Sequence, residues 1–176
     1  MNQTAPIPLI DLKTQYKSLR QEVNAAIGTA LESMQLFLGP NVQQLEGDFA
    51  DFCGVKHAIG VANGTEAIAL SLRALDIGRG DEVITVSWTF MATIEAIAHV
   101  GATPVVVDID PQTYCMDTRA LAAAINHRTR AVIPVHIFGH PCNMDEIVDL
   151  CEPRRLRIIE DACQAHGARW KGERVG

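Results

Sequence analysis

Asp161, Gln164 and His166 fall together in the stretch Arg157-Ile158-Ile159-Glu160-Asp161-Ala162-Cys163-Gln164-Ala165-His166-Gly167-Ala168. Its first half reads as a short buried strand. The acid, the amide and the imidazole come where that strand ends. Ligands of open α/β sheets sit outside the carboxyl ends of the strands, so Asp161 is placed to touch one. An unpaired buried charge is very costly, and such a carboxylate needs a partner. Two partners suit it. One is the backbone of the following turn, which an Asp can cap. The other is a cationic ring nitrogen on a ligand.

Other loops offer complementary chemistry. Asn63-Gly64-Thr65-Glu66-Ala67 follows the apolar run 58–61. Asn63 can cap a helix with Glu66 at N3, a variant of the capping box. Gly64 also lets backbone approach closely and Thr65 adds a hydroxyl. With the free N–H groups and positive dipole end of a helix N-terminus, that combination suits a phosphate. Ser87-Trp88-Thr89-Phe90-Met91-Ala92-Thr93 follows the run 83–86. Trp88 can stack on a flat aromatic ligand or simply bury area against a helix. His136, His140 and Cys142, with Asp145 nearby, are metal-ligand types, but their spacing matches no standard site and no metal is expected. His136 reads instead as a hydrogen-bonded residue at the sheet edge. The cysteines read as small core fillers. Cys163 lies near the proposed site with no base partner. A phosphate cradle, an aromatic plate and an acid on one sheet edge are the three contacts that pyridoxal phosphate (PLP) needs. The acid keeps the pyridine nitrogen protonated, so the ring can act as an electron sink.

These loops need a sheet to hold them. Short β-branched runs at 58–61, 83–86, 105–107, 131–135 and 158–159 alternate with helical segments ending near residues 75, 100, 125 and 150. That alternation predicts βαβ units: an α/β fold with a mostly parallel sheet and helices on both faces. Right-handed crossovers put the strand ends on one edge. Ahead of the sheet, residues 12–34 carry Leu12, Tyr16, Leu19, Val23, Ile27, Leu31 and Met34 at spacings of three and four, one face of an amphipathic helix. Gly39-Pro40 is read as its stop, and Val42, Leu45, Phe49 and Phe52 mark a second helix ended by Gly54. Residues 168–176 read as a hairpin turning near Lys171-Gly172.

Composition narrows the function classes. A chain of 176 residues, 48% apolar and 20% charged, can bury a sizeable core. A net charge of −6 with no basic run argues against a nucleic-acid partner or an anionic lipid surface. The 5 cysteines include no C-x-x-C, so no disulfide framework or zinc ribbon is expected and a reducing cytoplasm fits. Residues 1–11 lack the features of a signal peptide, and no run of about 18 apolar residues suggests a membrane span.

Five segments carry a family resemblance. They are Asn63-Gly64-Thr65-Glu66-Ala67, Trp88-Thr89-Phe90-x-Ala92-Thr93, Val107-Asp108-Ile109-Asp110, Pro134-Val135-His136-x-x-Gly139 and Glu160-Asp161-Ala162-x-Gln164-Ala165-His166-Gly167-Ala168. Together they resemble the DegT/DnrJ/EryC1/StrS sugar aminotransferases over nearly the whole chain, beginning at Ile7-Pro8-Leu9-Ile10-Asp11-Leu12. The resemblance implies part of a fold-type I aminotransferase large domain, PLP as cofactor and a homodimer. It implies amino transfer from glutamate to a nucleotide-linked keto sugar, in polysaccharide or antibiotic sugar biosynthesis. By that resemblance Gly64 and Thr65 bind phosphate, Trp88 stacks on the ring, Asp161 pairs with the pyridine nitrogen, and Gln164 lies by the ring's 3-hydroxyl.

One family feature is missing. The Schiff-base lysine, in a Ser-x-x-x-x-Lys segment, is expected shortly after the hairpin, beyond residue 176. The lysines present are Lys13, Lys17, Lys56 and Lys171, none well placed to be the catalytic amine. The expectation is an N-terminal part of a longer protein: a helical arm over 1–40, then 41–176 as the start of the cofactor-binding domain, short of the lysine and of a small C-terminal domain. Some relatives replace the lysine with His and become sugar dehydratases, which is one alternative. A non-catalytic cofactor-binding or regulatory module is another. A nicotinamide-type Rossmann enzyme is disfavoured because no G-x-G-x-x-G follows a strand.

Overall fold

The computed structural model describes residues 7–176, which divide into a unit ending at Gly47 and a second unit, Asp48–Gly176. The first holds helix α1 (Leu12–Ser33) and the start of α2 (Pro40–Cys53). Asp11 caps α1, its two carboxylate oxygens accepting from the Thr14 amide (3.1 Å) and hydroxyl (2.6 Å). The helix closes at Met34, left-handed with φ 53°. Pro40 proves to start α2 rather than to stop α1. Its missing N–H costs nothing at the first helical position. The expected apolar stripe is present on α1, yet no residue of the helix is buried.

The second unit is built on four parallel strands: β1 (Glu82–Val86), β2 (Thr103–Val107), β3 (Thr129–Ile133) and β4 (Arg157–Ile158), in the order β2-β1-β3-β4. Their side chains alternate between two cores. Val83, Ala131 and Ile133 face α3 (Gly64–Ala74) and α4 (Met91–His99) through Ile68, Leu72, Ala96 and Ile97. Ile84, Val86 and Val132 face α5 (Thr118–Ala124) and α6 (Met144–Cys151) through Leu121, Ile147 and Cys151. Period-2 alternation between two apolar layers is what a sheet covered on both faces requires.

This arrangement creates a crevice. β1 and β3 are neighbours, but β1 runs on into α4 on one face and β3 into α6 on the other. Adjacent strands whose connections leave to opposite faces open a gap at their carboxyl ends.

The run 58–61 forms no strand, contrary to expectation. Ile59 is 80% exposed and no described strand pairs with this segment. A strand exists only through its ladder, so apolar β-branched character that no described strand pairs with leaves extended chain. The loop at Asn63 is instead held by α3, which buries Ile68, Ala69 and Leu72. The hairpin is as expected: β5 (Arg169–Trp170) pairs with β6 (Glu173–Arg174). Lys171 and Gly172 both take positive φ, 48° and 95°, the sign a two-residue type I′ turn demands. Lys171 and the Trp170 indole N–H both bond Asp145 on α6.

Leu72 is fully buried, whereas Leu70 on the same helix is exposed. Leu72→Ala in the full-length protein should cost about 3 kcal/mol in urea unfolding, and Leu70→Ala within about 0.5 kcal/mol. Equal losses would show that α3 is not docked through Leu72.

Candidate active site

The crevice holds a cavity of about 300 Å³ whose wall includes Gly64, Thr65, Thr93, His136, Asp161 and Gln164. Four of the five residues expected to hold a cofactor thus meet on one cavity, although they come from separate stretches of the chain. Trp88 does not join them. It is 49% exposed and lies off the wall, while its neighbours Thr89 and Phe90 line it. Ser87, just before it, is held towards β2 by its amide bond to the Val107 carbonyl (2.8 Å). His166 is also elsewhere, edge-on against Phe49 with ring centroids 5.6 Å apart.

Asp161 is pinned by its backbone. Its N–H donates to the Pro134 carbonyl (2.9 Å), and its carbonyl accepts from the His136 N–H (3.1 Å), a parallel bridge that continues the β3–β4 pairing. Its side chain is satisfied unequally. Oδ2 accepts from the Thr93 hydroxyl at 2.8 Å, and Oδ1 accepts from the Cys163 amide at 3.3 Å. The second bond is the turn cap foreseen as one partner. No Lys, Arg or His of the described residues forms an ion pair with this carboxylate, which is only 9% exposed. A buried anion with two hydrogen bonds and no cation retains capacity for a cationic ligand.

Across the cavity stands the N-terminus of α3. The Asn63 side chain accepts from the Glu66 amide (3.0 Å), and the Asn63 carbonyl from the Ala67 amide (3.0 Å). The amides of Gly64 and Thr65 belong to the first turn and have no intrahelical partner. A Cβ on Gly64 would lie 2.8 Å from the Cys163 sulfur, so glycine is needed here for the close approach of two loops. Partial desolvation of the sulfur, then the neighbouring Asp161, push the Cys163 thiol up to about 11. Of the cysteines read as core fillers, Cys115, Cys142 and Cys151 are buried and Cys53 is half-buried, but Cys163 is exposed on the cavity wall and fills no core. Gln164 accepts the Phe138 amide on its Oε1 (2.9 Å), which leaves its –NH2 to donate.

His136 is fully buried, with both ring nitrogens in use. Nδ1 accepts from the Cys142 amide (3.0 Å), so the neutral ring carries its proton on Nε2 and donates it to Glu160 Oε2 (2.9 Å). The same oxygen accepts from the Gly176 amide at 3.0 Å. Burial pushes the Glu160 carboxyl up, but these two hydrogen bonds outweigh it and leave the group below its ordinary value. Sequence reading placed His136 at the edge as a bonded residue but assigned no part to Glu160 or Thr93. Their signals were membership of the family segments and position, Glu160 beside Asp161 and Thr93 in the first turn of α4.

Residues 17–176 match the DegT/DnrJ/EryC1/StrS aminotransferase family. The chain belongs to that family. It is 46% identical over its whole length to UDP-N-acetyl-3-dehydro-alpha-D-glucosamine 3-aminotransferase of Acidithiobacillus ferrooxidans, covering 48% of that protein. It is 44% identical to Streptomyces venezuelae DesV, whose crystal structure superposes with a TM-score of 0.94 over 98% of this chain and 47% of that one. A GDP-4-keto-6-deoxymannose-3-dehydratase, solved with PLP and glutamate trapped in it, is 30% identical with a TM-score of 0.81, covering 87% of this chain and 41% of that one. The chain spans about half the length of the curated relatives it matches. The α/β layers described above are part of the fold-type I aminotransferase large domain.

Glu160→Ala would leave the buried His136 Nε2–H without its acceptor. In the full-length protein this should cost about 2 kcal/mol at neutral pH, read by urea unfolding. A carboxylate with a depressed value stabilises the fold above its unfolded value, near 4.5 here, and loses that contribution as pH falls through the folded one. The gap to wild type should therefore narrow in acid, below about pH 5. A gap unchanged down to pH 3 would show that the Glu160 charge contributes nothing.

Proposed function

We propose that the full-length protein is a PLP-dependent aminotransferase that moves an amino group from glutamate to a nucleotide-linked keto sugar. One observation carries the reading: a buried carboxylate without a cationic partner and a capped helix N-terminus with free amides share one cavity at the sheet's switch point. That donor set fits PLP, which offers a protonatable ring nitrogen at one end and a phosphate at the other. When bound, PLP supplies the electron sink.

The chain's own residues do the rest in this reading. The Gly64 and Thr65 amides, the Thr65 hydroxyl and the α3 dipole hold the phosphate. Asp161 keeps the proton on the ring nitrogen, and Gln164 donates beside the 3-hydroxyl. Trp88 supplies the ring stack after a side-chain rotation from its exposed position. The amine comes from a lysine beyond residue 176. Among the lysines present, Lys13 and Lys17 ride on α1, Lys171 is paired with Asp145, and none lines the cavity. We further propose a cytoplasmic homodimer in which the unburied stripe of α1, on an arm ending near residue 40, meets a second copy. No described helix is long and apolar enough to cross a membrane.

Aminotransferase is preferred over dehydratase because the more similar relatives carry transaminase names, at 46% and 45% identity, against 30% for the dehydratase. Single-turnover kinetics of full-length Asp161→Asn, saturated with PLP and with glutamate as donor, tests the reading. The amide keeps a capping side chain but supplies no negative charge. A charge-assisted bond worth about 1.5–3 kcal/mol is lost, a slowing of roughly one to two decades. Thr65→Ala should instead weaken PLP binding more than the rate. A rate for Asp161→Asn within twofold of wild type would reduce Asp161 to a turn cap. A deoxygenated rather than aminated sugar product would move the assignment to the dehydratase.

A further inference from the structure

Thr93 lies in the first turn of α4, is 1% exposed, and lines the cavity. A hydroxyl on a helix usually bonds back to the carbonyl four residues earlier. Ser71 does so on α3, donating to the Ala67 carbonyl at 2.8 Å. Thr93 instead spends its only proton on Asp161 Oδ2, 68 positions away, at 2.8 Å. Its oxygen also lies 2.8 Å from the Thr89 hydroxyl. Because the Thr93 proton is committed to the carboxylate, Thr89 must be the donor in that second bond. The result is a directed chain, Thr89 to Thr93 to Asp161.

We infer that Thr93, backed by Thr89, is a positioning residue that fixes the Asp161 carboxylate and directs its other oxygen to the cofactor. The inference rests on the reading that Asp161 faces the pyridine nitrogen. A hydrogen bond to the charged form of a carboxylate favours that form. Two aligned hydroxyl dipoles in a site shielded from water reinforce one another. Oδ2 is thereby pinned, and Oδ1, whose bond from the Cys163 amide is a long 3.3 Å, is the oxygen with capacity for a ring N–H. Without the Thr93 donor the carboxylate becomes the stronger base and draws the shared proton off the ring nitrogen. The other titratable side chains on the cavity wall are His136, committed to Glu160 and Cys142, and the Cys163 thiol.

The test uses the full-length holoenzyme loaded with PLP carrying 15N at the ring nitrogen. Thr93→Val preserves shape and removes the hydroxyl, and Thr93→Ser keeps it. The ring 15N signal of Thr93→Val should move towards the unprotonated position, and its single-turnover rate with glutamate should fall about tenfold. Thr93→Ser should keep the wild-type signal. Thr89→Val should move the signal the same way by a smaller amount, and it decides the matter alone if Thr93→Val does not fold. An unmoved signal in Thr93→Val, or in Thr89→Val where that variant decides, overturns the inference. So does an equal shift in Thr93→Val and Thr93→Ser, which would mean packing alone. Asp161→Asn in the same measurement separates the two levels. If its signal moves while that of Thr93→Val does not, only the role of Thr93 fails; if neither moves, the assignment of Asp161 fails with it.

Discussion

A carboxylate held largely out of water must be satisfied from several directions at once, and Asp161 imposes that demand on everything near it. Its backbone is gripped by Pro134 and His136, its side chain by Thr93 and the Cys163 amide. Each partner is placed by a different element. β3 delivers Pro134 and His136, α4 delivers Thr93, and the turn after β4 delivers Cys163. The strand order that opens a gap between β1 and β3 therefore also brings donors to one acid.

The next layer stiffens this arrangement. His136 bridges the Cys142 amide and Glu160, and Glu160 in turn takes the Gly176 amide, so the loop after β3 is tied to the segment following the hairpin. On the opposite wall, α3 is docked by Ile68, Ala69 and Leu72, which fixes where its first-turn amides stand. The contact that a Cβ on Gly64 would make with Cys163 shows how closely the two walls approach. In the proposed reading, charge at one end and dipole at the other complement a cofactor with one protonatable nitrogen and a phosphate.

Much of this was legible in the residues alone. The Asn63 cap, the Lys171-Gly172 turn and the amphipathic spacing of α1 depend on neighbours within a few positions, so local pattern suffices to read them. The alternation of β-branched runs with helices gave the parallel sheet because both faces of each strand had to be apolar. Asp161 could be named because it follows a strand of the parallel sheet, Gly64 and Thr65 because they read as a helix start, and Gln164 through the family resemblance. The apolar run 58–61 misled because strand character in a sequence records suitability for a ladder, and no described strand provides one.

What the sequence by itself determined was the inventory: an α/β chain with an acid, a phosphate-type helix start and an amide on one edge. The tertiary structure alone decided which residues touch. Thr93 meets Asp161 across 68 positions, and Gly64 meets Cys163 across the crevice, contacts that no local spacing encodes. It also left Trp88 off the cavity wall and turned His166 onto Phe49. Side-chain direction at a strand end depends on the packing of the neighbouring strands, and that is settled only when the sheet has formed.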